Sequence, residues 1–132
     1  MRQSNPALVV NRVLEYYPRL RAVADYVGHH LDRHIALTDV ARVAGLERKY
    51  FSTYFHSKSG IRFTEWLRQL RVNRAKDLIE HEDYSIPRLA FASGFRDLRS
   101  FERAFKRYVG MSPSVYRTAV RPNSKSRNLS PP

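Results

Sequence analysis

Hydrophobic residues recur along most of this chain at three- and four-residue steps, the period of helices that bury one side. Val10, Val13, Leu14 and Tyr17 share a face of a segment over 7–17, which Pro18 interrupts by removing a backbone donor. The stripe Leu20, Val23, Ala24, Val27 and Leu31 predicts a second helix over about 19–32. Between about 63 and 81, Trp66, Leu67, Leu70, Ala75, Leu78 and Ile79 lie on more than one side, so that helix can serve two packed lobes. Ser85 then stands as an N-cap, and Pro87 falls in the first turn of the next helix, where a missing N–H is harmless.

The pattern repeats. From Val40 the chain reads Val-Ala-Arg-Val-Ala-Gly-Leu, followed by Phe51, Phe55, Gly60 and Trp66; from Leu89 it reads Leu-Ala-Phe-Ala-Ser-Gly-Phe, followed by Phe101, Phe105, Gly110 and Tyr116. The offset is 49 up to the first glycine and 50 from the phenylalanine pair onward, so one residue enters between them. Each copy joins a short helix to a second helix whose phenylalanines at i and i+4 face inward, which is the sequence form of a helix-turn-helix. Ala41 and Ala90 permit a close helix crossing, Gly45 and Gly94 supply the positive φ of a sharp turn, and Leu46 and Phe95 drop into the crossing. The first unit is predicted over 37–58, the connecting helix over 63–81 and the second unit over 86–108. A last short helix starts at Ser112-Pro113 and runs through Tyr116. Residues 121–132, rich in Ser, Pro and Asn, read as a disordered basic tail.

Charge points to the partner. The chain of 132 residues carries 24 Lys and Arg against 12 acidic residues, a net charge of +12. Each of the segments 1–35, 36–82, 83–120 and 121–132 has a positive excess, so the basic character belongs to a folded body as well as a tail. That is the electrostatic footprint of a polyanion binder. With no cysteine, disulfides, thiolate zinc sites and cysteine nucleophiles are excluded. His29, His30, His34, His56 and His81 are scattered without the carboxylates that would complete a metal site; no metal, no cofactor and no enzymatic activity are expected. No apolar run reaches the roughly 20 residues needed to span a bilayer, and 1–11 lacks a secretion signal, so the chain reads as cytoplasmic with no membrane partner.

Residues Ala90-x3-Gly94-Phe95, then Ser100-Phe101-x-Arg103-x-Phe105-Lys106-x3-Gly110-x-Ser112-Pro113-x2-Tyr116-Arg117, resemble the signature of the AraC/XylS family of bacterial transcription regulators. The first repeat and Arg71-x3-Ala75 resemble the rest of that family's DNA-binding domain. The likeness covers about residues 19–120, with 1–18 as an N-terminal helical extension. It implies an all-α fold of about seven helices, two helix-turn-helix subdomains joined by a long central helix. The chain is similar to the short stand-alone members, or to the C-terminal domain of a longer one. It departs from the family at Ala36, where a Ser or Thr cap is usual, so the first short helix is expected to start later, capped by Thr38. Glu47, followed by Arg48 and Lys49, replaces the usual small cap of the first recognition helix.

In the second recognition helix, Leu98, Phe101, Ala104, Phe105 and Tyr108 should be buried, leaving Arg99, Glu102, Arg103 and Lys106 outward. Arg99 and Arg103 share a ridge, and arginine suits a two-pronged bond to guanine O6 and N7. With Glu102 they are the base-reading candidates of this lobe; the other reading of the same face is a solvated surface on which Glu102 offsets the arginines. In the first recognition helix Lys49, Ser52 and Thr53 are exposed, and the resemblance implies that they face bases. Arg48, Lys58, Lys106 and Arg107 flank the reading faces as phosphate candidates, joined by the helix starts at Thr38 and Ser85. Arg71 is equally a phosphate contact or a structural ion pair.

These readings imply a sequence-specific regulator that reads two successive major grooves of duplex DNA with two recognition helices, binds as a monomer and contacts RNA polymerase. The alternatives are a non-specific architectural DNA binder, or a protein-interaction module working through the Val10, Val13, Leu14 and Tyr17 stripe on RNA polymerase.

Overall fold

A computed structural model of the chain describes residues 12–122. The expected helix at 7–11, Val10 included, and the part of the expected tail 121–132 from 123 onward lie outside the described residues; Arg121, expected in that disordered tail, is instead held by the Ile79 and Glu82 carbonyls. Residues 12–15 are helical, and among the described residues seven longer helices follow. They are α1 (Pro18–His30), α2 (Leu37–Ala44), α3 (Arg48–Ser59), α4 (Phe63–His81), α5 (Ile86–Ala92), α6 (Leu98–Val109) and α7 (Pro113–Val120). The fold is all-α. The chain divides into two compact units, 1–70 and 71–132, and the division falls inside α4.

The first unit packs Leu14, Leu20, Val23, Val27, Val40, Phe51, Phe55 and Trp66 into one buried cluster. Phe51, Phe55, Phe63 and Trp66 form an aromatic knot, with Phe55 and Trp66 centroids 5.3 Å apart and Phe51 and Phe63 5.5 Å apart. Leu14 is fully buried, so this member of the N-terminal stripe belongs to the core, whereas its neighbour Tyr16 stays exposed.

The second unit repeats the plan with Val72, Ala75, Ile79, Leu89, Phe101 and Phe105. Phe101 and Phe105 sit 5.7 Å apart and Phe105 meets Tyr116 at 5.5 Å. Trp66 near the start of α4 and Tyr116 in α7 therefore close equivalent cores, and the second half of α4 opens the next unit as α1 opens the first. Val72, absent from the sequence-derived stripe, is fully buried beside Ala75 and Ile79. The Tyr116 hydroxyl donates to Glu80 at 2.6 Å; burial, and then Glu80, push its pKa above the usual tyrosine range. α7 runs to Val120, a turn past the sequence expectation, because Arg117 donates to the Tyr84 carbonyl and Arg121 to those of Ile79 and Glu82, while Arg121 also pairs with Asp83 at 2.8 Å.

Both turns close alike. The Leu46 amide donates to the Ala41 carbonyl and the Phe95 amide to that of Ala90, each at 2.9 Å, the six-to-one bond of a Schellman turn. Gly45 has φ 72° and Gly94 φ 103°, the left-handed region that glycine enters without a Cβ penalty. An arginine then braces the end of each short helix: Arg19 Nη1 donates to the Ala44 carbonyl at 2.7 Å, and Arg74 Nε to that of Ala92 at 3.0 Å.

The start of α2 corrects the sequence reading. Ala36, not Thr38, occupies the N-cap, with no side-chain hydrogen bond; its carbonyl accepts from Asp39 and Val40, so Thr38 lies within the first turn. The hydroxyl cap is dispensable here because Ile35 anchors the entry in the core and Asp39 puts a negative charge in the first turn.

Gly45 and Gly60 separate two effects. Both have positive φ, but a Cβ on Gly45 would lie 2.9 Å from Arg19 Nη1, whereas one on Gly60 meets nothing within 4 Å. Gly60→Ala should cost about 1–2 kcal/mol from the left-handed backbone alone. Gly45→Ala should cost about 1 kcal/mol more, because it also displaces the Arg19 bond. Urea unfolding followed by the fluorescence of Trp66, the chain's single tryptophan, measures both; equal losses would show that the Arg19 brace contributes nothing.

Candidate nucleic-acid interface

Each unit buries one side of its second helix and presents the other. In α6, Phe101, Ala104 and Phe105 are buried, Leu98 and Tyr108 half-buried, and Arg99, Glu102, Arg103 and Lys106 exposed. No hydrogen bond or ion pair with the described residues holds Arg99, Glu102 or Arg103. Their heads are free to meet an external partner, and Glu102 does not neutralise either arginine through a direct contact.

The start of α6 is firmly set. The Asp97 carboxylate accepts from the Ser100 amide at 2.7 Å and from the Ser100 hydroxyl at 3.2 Å. These bonds, first the backbone and then the hydroxyl, hold the Asp97 pKa below the usual carboxylate range, with the charges of Arg96 and Arg103 adding to them. At the other end Gly110, with φ 93°, donates its amide to the Lys106 carbonyl. Capping at both termini fixes where α6 begins and ends, and hence which side chains face out.

α3 is less firmly set. Its N-cap, Glu47, makes no side-chain hydrogen bond. Phe51 and Phe55 are buried and Tyr54 half-buried. Lys49 and Thr53 are exposed; Ser52 is half-buried, its hydroxyl donating to the Arg48 carbonyl at 3.4 Å. Ser52 and Thr53 also line a groove of about 350 Å³ with His56, Ser57, Arg62 and Thr64, and with the apolar Leu37 and Phe63. Sequence reasoning passed over this groove and Arg62. The repeat carried a signal for it, since Arg62 stands 50 residues before Ser112, where the second copy has a capping serine.

The phosphate candidates differ in setting. Arg48 and Lys106 are exposed. Lys58 places its ammonium over the rings of Tyr17, 5.3 Å from the centroid, and Tyr54, at 5.6 Å, so the side chain that reaches solvent is also braced by two aromatic faces. Arg107 lies over the Tyr108 ring at 5.5 Å. Thr38 is exposed in the first turn of α2, and the Ser85 hydroxyl accepts from the Arg88 amide at 3.2 Å as the cap of α5. Arg71 is partly buried, and that burial lowers its pKa from the ordinary arginine value. Asp77, Glu80 and His81 bring ligand-type atoms within 4.8 Å of one another on the exposed end of α4. Glu80 there already receives the Tyr116 hydroxyl. Among the described residues no helix is long and apolar enough to cross a membrane.

Two helix-turn-helix units, each with a capped turn and an outward basic or polar helix, define a tandem helix-turn-helix domain. Comparison with known proteins gives the particular family. The model of a helix-turn-helix domain matches residues 40–119. The chain is 31% identical over 111 residues to the regulatory protein PocR of Salmonella typhimurium, covering 84% of this chain and 37% of that protein. It is 31% identical over 101 residues to the transcriptional regulator GlxA of Rhizobium meliloti, covering 76% and 31% respectively. Among solved structures, the DNA-binding domain of AdpA, in complex with a target DNA, matches at 30% identity and a TM-score of 0.71, covering 82% of this chain and 95% of that one. An AraC-type regulator from Chromobacterium violaceum, at 20% identity, shares the fold with a TM-score of 0.75 over 81% of this chain and 96% of its own. The chain belongs to the AraC/XylS family of helix-turn-helix transcription regulators and carries its DNA-binding domain. It spans about a third of the length of these curated relatives.

The Asp97 cap makes a pH-dependent prediction. Because the folded-state pKa is depressed, its contribution is present at neutral pH and is lost as pH falls through the carboxylate range. Asp97→Ala should lower the melting temperature of the protein at pH 7 and converge with wild type at acidic pH. A deficit that stayed constant across a calorimetric pH series would rule out the ionised cap as its source.

Proposed function

We propose that this chain is a sequence-specific duplex-DNA reader that regulates transcription, with α3 and α6 each entering a major groove. The observation that carries this reading is the Arg99 and Arg103 ridge on α6: exposed, four residues apart, on a helix capped at both ends, and held by no carboxylate among the described residues. Arginines so placed suit the paired acceptors of guanine. Lys49, Ser52 and Thr53 on α3 offer one cation and two hydroxyls, which discriminate bases less sharply, so the second unit carries more of the sequence reading. Lys106, Arg107, Arg48, Lys58, the first turn of α2 with Thr38, and the start of α5 at Ser85 supply backbone contacts.

Two readers in one chain need no second copy. Successive major grooves on one face of the duplex recur roughly every 34 Å, so a monomer binds an asymmetric site with two short blocks about a turn apart. Regulation then proceeds through contact with RNA polymerase, in the cytoplasm, with no catalytic step, metal or cofactor. The AdpA domain solved on its target DNA supports duplex DNA as the partner of this fold.

Selection from a random duplex pool at near-physiological salt tests the reading: an asymmetric two-block site should be enriched. On that site Arg99→Ala and Arg103→Ala should each cost about 1–3 kcal/mol and relax preference at one block, while binding to scrambled DNA falls far less. Equal losses on both duplexes, or a pool that binds without enrichment, would transfer the chain to non-specific architectural binding.

A further inference from the structure

We propose that the groove beside α3 is a clamp for one DNA backbone phosphate, with Arg62 as the residue that grips it. The inference rests on duplex DNA being the partner and goes beyond the base and phosphate contacts assigned above.

The repeat shows what is unusual at this position. Gly60, Phe63 and Trp66 correspond to Gly110, Pro113 and Tyr116, so Arg62 replaces Ser112. The Ser112 hydroxyl is structural, since it accepts from the Val115 amide at 3.2 Å and caps α7. A guanidinium has no acceptor and cannot cap a helix in that way. The first unit has thus exchanged a helix cap for a cation. Among the described residues no hydrogen bond or ion pair occupies it; the nearby Glu65 pairs with Arg68 at 3.3 Å.

The surroundings match an oxyanion. The groove has a volume of about 350 Å³, and among the described residues no carboxylate lines it. Around Arg62 it gathers the hydroxyl residues Thr53, Ser57 and Thr64, and Ser52, whose own hydroxyl is turned to the Arg48 carbonyl. Hydroxyls and a guanidinium fork are the donor set of a phosphate site, and arginine engages phosphate with two parallel bonds. The occupant is a phosphate of the duplex because Ser52 and Thr53, which line the groove, also belong to the outward surface of the reading helix. An anion held there lies at the edge of the DNA that this helix enters. A fixed phosphate would give α3, whose own cap makes no side-chain bond and whose readers include two short hydroxyls, a register on the duplex that its base contacts supply only weakly.

The test uses the full chain and three variants, Arg62→Ser, Arg62→Lys and Thr53→Ala, titrated on a selected duplex and a scrambled one across a salt series. Arg62→Ser restores the cap found in the second copy, so its melting temperature should hold or rise. Its affinity for both duplexes should fall together, with the slope of log affinity against log salt shallower by about 1. Arg62→Lys should keep the slope, and Thr53→Ala should leave it unchanged. An unchanged slope in Arg62→Ser, or a loss confined to the selected duplex, would overturn the clamp. So would inorganic phosphate that, at matched ionic strength, binds wild type but not Arg62→Ser without displacing DNA, since the groove would then take a free anion. If wild type binds both duplexes equally, sequence-specific reading fails, yet the Arg62 slope still decides the clamp.

Discussion

Everything that the outward helices α3 and α6 can present depends on a paired aromatic anchor behind each of them. Phe51 and Phe55, and fifty residues later Phe101 and Phe105, sit one helical turn apart and are fully buried. The second of each pair meets the ring of Trp66 or Tyr116 on the helix that follows. Two buried rings a turn apart fix the rotation of a helix about its axis, and a helix with fixed rotation presents a defined set of outward side chains. Truncating one such ring would cost about 3–5 kcal/mol, a large part of the net stability of a small helical unit. Reading geometry and core stability are therefore one constraint.

The units differ in what surrounds that anchor. The second is set by a charged cap at Asp97, by an ion pair between Arg121 and Asp83, and by the Tyr116 to Glu80 hydrogen bond. The first relies on its aromatic knot and on Leu14 entering from before α1, and its reading helix starts at a glutamate that makes no capping bond. This asymmetry parallels the side chains on display: Arg99 and Arg103 outward on α6, Lys49, Ser52 and Thr53 on α3. The unit that presents the arginine ridge also has the better-defined helix start.

Much of this was legible in the sequence because it is carried by periodicity and by glycine. The phenylalanine pairs, the alanine to glycine spacing and the two-sided stripe of α4 each follow from helical geometry, and all reappear as buried rings, Schellman turns and a helix that supplies two cores in turn. What stayed hidden depends on contacts between distant residues. Arg19 and Arg74 look like surface cations, yet each binds the carbonyl end of a short helix, 25 and 18 residues away respectively. The Thr38 cap failed for a related reason: a hydroxyl near a helix start is a local signal, whereas the start itself was set by Ile35 entering the core. Lys58, bound to look solvated in any pattern, rests on two tyrosine rings, one of them before α1.

The two copies also show how a tandem fold divides its labour without changing its frame. Positions that close the core are kept in kind: phenylalanine for phenylalanine, tryptophan for tyrosine, glycine for glycine. Positions at helix starts are free to differ, because a missing cap costs only about 1 kcal/mol where packing holds the helix. Ser112 stays a cap, while Arg62 gives up the hydroxyl for a charge; Asp97 caps α6, while Glu47 leaves α3 to its rings. A helix start is thus where such a domain can exchange stability for contact with a polyanion at the smallest loss, since the backbone there already faces solvent and only one hydrogen bond is given up. At that position the second unit keeps the Ser112 cap, while the first carries Arg62 and does without the hydroxyl.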